Sequence, residues 1–262
     1  MKLIIFDIDG VLLRGFKALP YAADIVNDLR KEGYLISFLT NNSTQTPEIY
    51  SERLINAGIQ ASPDEVMSSA IATAVYLKSI SQKGTRILAV GEKGIIKALT
   101  DAGFNVIDYS DNEPVEYVVV GMDRGFNYEK LARAQKEIWQ NGAKLIGTNY
   151  DTIFPIEGGD VRPGGGVMVV AIEACTRQKA TIIGKPEPIT LELILDKYNI
   201  GRTEAMIVGD NLDTDILAGK RAGIATVFVL SGIHSEKDIS KLKPDSIPDF
   251  ILKDLSTLFD CI

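Results

Sequence analysis

Uncharged runs of branched and aromatic residues alternate along this chain with stretches whose apolar positions recur every three or four residues. The first run, Leu3-Ile4-Ile5-Phe6, shows no alternation of faces and reads as a parallel strand buried on both sides. A helix follows, with Pro20 near its start and Gly33 just past its end, and then a strand from Tyr34 to Leu39 that stops at Thr40-Asn41-Asn42-Ser43. Strand, helix and strand in that order imply a right-handed parallel unit. A second helix runs from about Pro47 to Ala57 and is closed by Gly58. The pattern returns near the carboxyl terminus, where Thr181-Ile182-Ile183 reads as a strand leading into Gly184-Lys185-Pro186. A helix to about Tyr198, a strand from Ala205 to Val208 and a helix from about Thr214 to Ala222 come next. The strand Ala225 to Val229 and a final helix after Phe250 complete a doubly wound α/β layer.

Between these halves lies a block with its own succession. It reads as a strand from Arg86 to Val90, a helix from Glu92 to Ala102, a strand from Tyr117 to Val120, a helix from Tyr128 to Asn141 and a strand from Lys144 to Ile146. The polar stretch Ser79 to Gly84 suits an entering hinge, and Thr176 to Lys179 a returning one. The economical reading is a doubly wound parallel-sheet core built from residues 1–81 and 179–262, with a smaller α/β domain, 82–178, inserted as a cap. Pattern alone leaves two consecutive domains open.

Composition narrows the function more than the fold. The chain has 262 residues, 45% of them hydrophobic and 24% charged, with a formal charge of −7 and no Lys/Arg block to neutralise a nucleic-acid backbone. The amino-terminal apolar run ends at Asp7, too early for a signal peptide, and nothing approaches the ~20 apolar residues of a membrane span. Two isolated cysteines, Cys175 and Cys261, make neither a disulfide framework nor a thiolate cluster and suit a reducing cytoplasm. His234 is the only histidine, so a His-rich zinc or iron site and a Ser-His-Asp triad are excluded. Any metal should be a hard cation bound by oxygen. No Walker-type loop is present, Gly164-Gly165-Gly166 does not fit the dinucleotide fingerprint, and Asp210 to Asp215 lacks the spacing of an EF-hand.

What remains is a set of polar residues at the carboxyl ends of parallel strands, the edge where open α/β sheets bind ligands. Asp7 and Asp9 follow the first strand, Thr40 the second, Lys185 the returning strand, and Asp210 with Asp215 the next. This ordered set resembles the haloacid-dehalogenase superfamily of phosphohydrolases, whose motifs are Asp-x-Asp, a strand-terminal Thr or Ser, a Lys, and Gly-Asp followed by a second acid. Thr40 and Lys185 stand much farther apart than one strand and helix require, so the cap is inserted after the second motif. The stretches Phe38 to Ser43, Gly147 to Asp151, Gly184 to Pro188 and Gly209 to Ile216 are similar to the branch holding the NagD-type, para-nitrophenyl-phosphate and phosphoglycolate phosphatases.

The resemblance implies a mechanism. Asp7 would attack phosphorus and form an aspartyl-phosphate, and Asp9 would protonate the leaving group and then activate water. Thr40, the Asn41 main-chain N–H, Asn42 and Lys185 would hold the phosphoryl oxygens. Mg²⁺ would be bound by the Asp7 carboxylate, the Asp9 main-chain carbonyl and the Asp210 carboxylate. Asp215 would orient Lys185 or a metal-bound water, and Asp213 would cap a helix or support the site. Elementary electrostatics agrees, since two carboxylates ~5 Å apart repel by roughly 3 kcal/mol at an effective dielectric near 20. The acid at position 9 favours phosphoryl chemistry, because superfamily members that dehalogenate lack it.

In the inserted block the resemblance implicates Asn149 and Asp151 in contacts to a small phosphate-ester substrate, with Tyr150 standing where relatives often carry Pro or Leu. It leaves a homodimer open, and it leaves two other activities: phosphoryl transfer to a second hydroxyl, as in a mutase, or regulatory binding of a phosphometabolite without turnover. Three features read as structural. Gly164-Gly165-Gly166 would allow close packing, His234 would lie in a loop, and Trp139 would sit on the packed face of a helix.

Overall fold

The computed structural model describes residues 1–155, 160–232 and 234–262. In chain order the strands are β1 (Leu3–Asp7), β2 (Leu13–Arg14), β3 (Lys17–Ala18), β4 (Leu35–Thr40), β5 (Val66–Ser68), β6 (Arg86–Val90), β7 (Asn105–Ile107), β8 (Tyr117–Val120), β9 (Lys144–Gly147), β10 (Ile153–Pro155), β11 (Val161–Pro163), β12 (Thr181–Ile182), β13 (Ala205–Gly209), β14 (Ala225–Val229) and β15 (Phe250–Leu252). The helices are α1 (Ala22–Lys31), α2 (Pro47–Asn56), α3 (Ser69–Ile80), α4 (Lys93–Asp101), α5 (Tyr128–Asn141), α6 (Gly165–Thr176), α7 (Ile189–Tyr198), α8 (Leu217–Ala222) and α9 (Glu236–Ile239).

The chain divides into two units. The first holds residues 1–40, 47–67 and 185–262. Its sheet runs β15-β14-β13-β1-β4-β5, and β1 pairs in parallel with both β13 and β4. Every residue of β1 is buried, as its unbroken apolar run requires, and Phe6, Ile36, Phe38, Met206 and Val208 pack into one core with Leu29 of α1 and Leu54 of α2.

The second unit holds residues 41–46 and 68–184. It extends beyond the 82–178 span read from the succession of elements and the polar hinge stretches, taking in α3, which packs on α4, and β12. Its five-stranded sheet, β12-β9-β8-β6-β7, is parallel throughout. Leu88, Val118, Val120 and Leu145 form its core with Ala134 and Ile138 of α5 and Val169 and Ile172 of α6.

Three local readings change. Thr181-Ile182, expected as a strand of the large sheet, pairs with β9 instead, Thr181 opposite Ile146. A two- or three-residue apolar run cannot specify which sheet it joins. Phe250-Ile251-Leu252 is a strand, not the start of a helix, and pairs in parallel with β14 before a helical turn over Leu255–Cys261. Trp139 is 62% exposed on α5, held by its indole N–H donating to the Thr176 carbonyl at 3.0 Å rather than by burial. Among the described residues no helix is long and apolar enough to cross a membrane.

Candidate active site

The chain leaves β1 towards β4 on one side and returns much later as β13 on the other, so the end of β1 is the point where strand order reverses. Asp7 is the last residue of β1, paired in register with Leu39. Asp210 follows β13 directly, and Asp215 lies in a π-helical turn over Leu212–Ile216, an irregularity found often at functional sites. Asp7, Asp210 and Asp215 are all buried, and each offers a carboxylate oxygen within 4.8 Å of the others. Buried Lys185 joins two of them, donating from Nζ to Asp7 Oδ1 at 2.5 Å and also to Asp215 Oδ1. The Asn211 main-chain N–H donates to Asp215 Oδ2 at 3.1 Å, so both oxygens of Asp215 are held.

Glycine makes room for these acids. A Cβ at Gly209 would strike the Asp215 side chain, and one at Gly232 the Asp210 carboxylate. Gly10 meets the same Asp210 obstacle and adopts a φ of +96°, a conformation that side chains rarely tolerate. The sequence Asp-x-Asp-Gly thus closes the loop on which its own acids sit.

Burial pushes the Asp7 carboxyl well above the usual carboxylate range; the Lys185 ammonium opposes the rise, while Asp215 and Asp210 add to it. Burial also acts against the charge on Lys185, but Asp215 and Asp7 outweigh it and hold the ammonium above its ordinary value. Three carboxylates and one ammonium together carry two negative charges, the complement of one divalent cation. An all-oxygen donor set fits a hard cation, so these residues suit the metal that the resemblance implied.

The other expected residues of this unit lie as follows. Thr40 is buried at the end of β4. Asp9 turns its carboxylate, 51% exposed, towards Arg53 of α2, whose Nη2 donates to Asp9 Oδ1 at 2.9 Å. Asp213 is largely exposed, 3.5 Å from His234 Nε2, and stands outside the three-acid cluster. His234 Nδ1 accepts the Leu212 N–H at 3.2 Å, which makes it a support of this loop. Arg53 escaped the sequence reading. It is 44 positions from its partner, on a helix whose pattern marks it only as polar.

In the second unit, Asn41, Asn149 and Asp151 form one network. Asn149 Nδ2 donates to the Asn41 carbonyl at 2.7 Å, Asn41 Nδ2 to Asp151 Oδ2 at 2.9 Å, and the Asp151 N–H to Asn149 Oδ1 at 3.1 Å. Asn42 instead closes its own turn, its Oδ1 accepting the N–H and hydroxyl of Thr44 at 2.9 and 2.8 Å. Tyr150 donates to Glu173 Oε2 at 2.6 Å, and that carboxylate also accepts from Lys179 and the Ala180 N–H. The triple glycine serves packing, since a Cβ at Gly164 or Gly166 would strike the main chain of Tyr150 or Asp151.

Known proteins resemble this chain over most of its length. Residues 4–105 match a family described as haloacid dehalogenase-like hydrolase, and residues 182–258 one described as HAD-hydrolase-like. The chain is 38% identical to the acid sugar phosphatase of Staphylococcus epidermidis over 253 residues, 96% of this chain and 94% of that protein. Its fold is similar to NagD from Escherichia coli, with a TM-score of 0.87 and 34% identity over 98% and 97% of the two chains. It is similar also to the glycerol phosphate phosphatase of Mycobacterium tuberculosis solved with calcium, with a TM-score of 0.89 and 28% identity over 98% of this chain and 74% of that one.

Proposed function

The chain belongs to the haloacid dehalogenase-like hydrolases and is a phosphatase of their NagD-like branch, and from that premise we propose that it cleaves small organic phosphate monoesters through an aspartyl-phosphate on Asp7, with Mg²⁺ as its metal. One observation carries this reading: a buried Asp7 at the strand-order reversal, held by Lys185 and crowded by Asp210 and Asp215.

An Asp7 oxygen attacks phosphorus while the ester P–O bond breaks, and Asp9 gives a proton to the departing oxygen. Asp9 then takes a proton from the water that attacks the aspartyl-phosphate, which releases inorganic phosphate and restores Asp7. The Lys185 ammonium and the Thr40 hydroxyl hold phosphoryl oxygens as charge shifts among them. Asp215 keeps Lys185 in place from behind, supported by its bond to that lysine. The carboxylates of Asp7 and Asp210 and the main-chain carbonyl of Asp9 would hold the metal, which when bound supplies positive charge to the phosphoryl oxygens. In the second unit, Asn149 and Asp151 are proposed substrate contacts, supported by the hydrogen bonds that fix their loop. Two free cysteines support a reducing, cytoplasmic setting.

The covalent step is tested by quenching the enzyme in acid during turnover of a phosphoryl-labelled ester and mapping the label. Label on the peptide carrying Asp7 is expected. Phosphate release at full rate with no labelled protein at any quench time, and with inversion of configuration at a chirally labelled phosphorus, would point to direct attack by water.

A further inference from the structure

Asp9 lies on the loop after β1 with a half-exposed side chain, yet one of its oxygens is held by a guanidinium only 15% exposed. Arg53 Nη2 donates to Asp9 Oδ1 at 2.9 Å and to the Gly15 carbonyl, in the turn between β2 and β3, at 2.8 Å. Two rings flank the same guanidinium, Phe16 at 5.7 Å and Tyr50 at 5.6 Å from Cζ to the ring centroids. Tyr50 is fully buried one helical turn before Arg53, whereas Phe16 is 72% exposed and its ring stands over a cation rather than in the core. Arg53 therefore has few rotamers open to it, and it transmits that order to Asp9. A stitch between helix and hairpin would need only the Gly15 carbonyl; the bond to Asp9 is additional.

We propose that Arg53 is a positioning residue for proton transfer: it fixes the Asp9 carboxyl through Oδ1 and leaves Oδ2 as the oxygen that carries the proton to the leaving group. This rests on the reading of Asp9 as the general acid. In that step the P–O bond breaks, its electron pair stays on the leaving oxygen, and the proton on Asp9 Oδ2 moves to that oxygen. Proton transfer needs donor and acceptor within hydrogen-bond reach, and a carboxyl free to rotate on an exposed loop would spend little time there.

The test compares leaving groups. p-Nitrophenolate departs without a proton, whereas the alkoxide of glycerol 3-phosphate needs one, and kcat/KM reports the steps through P–O cleavage, free of the later hydrolysis common to both. Asp9→Asn should lower kcat/KM for glycerol 3-phosphate by about 10²- to 10⁴-fold, and far less for p-nitrophenyl phosphate. Arg53→Gln should lower the alkyl-to-aryl ratio of kcat/KM about tenfold, and Arg53→Lys should recover part of it. An equal loss on both esters, or none, with Asp9→Asn still selective, would overturn the role of Arg53 and leave that of Asp9 standing. Loss of selectivity in Asp9→Asn itself would remove both. Should Arg53→Gln fail to fold, Phe16→Ala at its exposed position loosens the guanidinium without emptying the core, and an unchanged ratio there overturns the proposal equally.

Discussion

Two of the places where this molecule buries charge differ in how it is balanced. In the second unit, Arg133 and Glu137 lie one turn apart on α5, both buried and paired with each other. Glu137 Oε2 also accepts the Val115 N–H at 2.8 Å and Asn141 Nδ2 at 2.8 Å, and Arg133 Nη2 donates to the Glu113 carbonyl at 2.5 Å. One cation meets one anion, and the pair ties the segment before β8 to its helix. In the first unit, Lys185 pairs with Asp7 and Asp215 while the Asp210 carboxylate lies beside them, and burial with mutual repulsion drives the Asp7 carboxyl upward. Balanced buried charge reads as architecture, and unbalanced buried charge as a place kept ready for a cation and an anionic substrate.

Substitution at the two places should separate these meanings, and the largest effect belongs to Asp7. Asp7→Asn removes the nucleophile and should lower phosphate release by at least about 10⁴-fold, while thermal unfolding shows a midpoint no lower than that of the parent. The stability arm is the sharper one, because a neutral amide relieves the crowding around a raised carboxyl. A folded variant that retained turnover would break the mechanism, and a marked fall in stability would show that Asp7 serves as structural glue after all.

Metal should act on the same imbalance. Chelation is expected to stop turnover, and added Mg²⁺ to raise the unfolding midpoint of the parent; at a concentration near 100 times Kd, linkage amounts to about 2.7 kcal/mol. Asp210→Asn should lose most of that rise. A midpoint indifferent to Mg²⁺ in the parent, measured by calorimetry, would mean that the two negative charges are balanced by some other means.

At the balanced pair the expected pattern reverses. Glu137→Gln leaves the Arg133 guanidinium buried without its carboxylate and should cost ~3–5 kcal/mol by denaturant unfolding, with kcat per folded molecule unchanged. Little loss of stability together with lost turnover would erase the distinction on which the comparison rests.

How much of this was legible beforehand follows the same division. Asp7 and Asp210 follow apolar strands of the large sheet, whose carboxyl edge local pattern marks, whereas Lys185 follows a strand of the other sheet and was reached, like Asp215, through the order of motifs that carries the family resemblance. The helix α2 was legible because Gly58 marks its end. Arg53 was not legible, since its meaning comes from a partner 44 residues away and from Phe16 beyond a hairpin turn. Nor was the sheet that β12 joins, because a pair of residues carries no register of its own. Trp139 shows the converse limit: apolar periodicity placed it inside, and one hydrogen bond to Thr176 holds it at the surface.

The smallest expected effect sharpens the comparison by its sign. Asp249 precedes β15, and although burial pushes its carboxyl upward, the Lys220 ammonium and the hydroxyl and N–H of Thr226 hold it below the usual range. A lowered acid binds its proton less tightly when folded. Its stabilisation is therefore fully present above about pH 4, the unfolded value, and is lost as the pH falls through the folded one. The ion pair is partly exposed, so Asp249→Asn should cost no more than ~1 kcal/mol at neutral pH, a gap that closes in acid. Asp7 has the opposite sign. Its raised carboxyl binds a proton more tightly in the folded state, so in metal-free protein its charge destabilises increasingly as pH rises above the unfolded value. Unfolding of the metal-free protein measured from acid to neutral pH should thus show the parent pulling ahead of Asp249→Asn as the pH rises towards about 4 and falling behind Asp7→Asn as it rises above that value. If both gaps moved in the same direction, the contrast between a paired acid and a crowded one would lose its electrostatic basis.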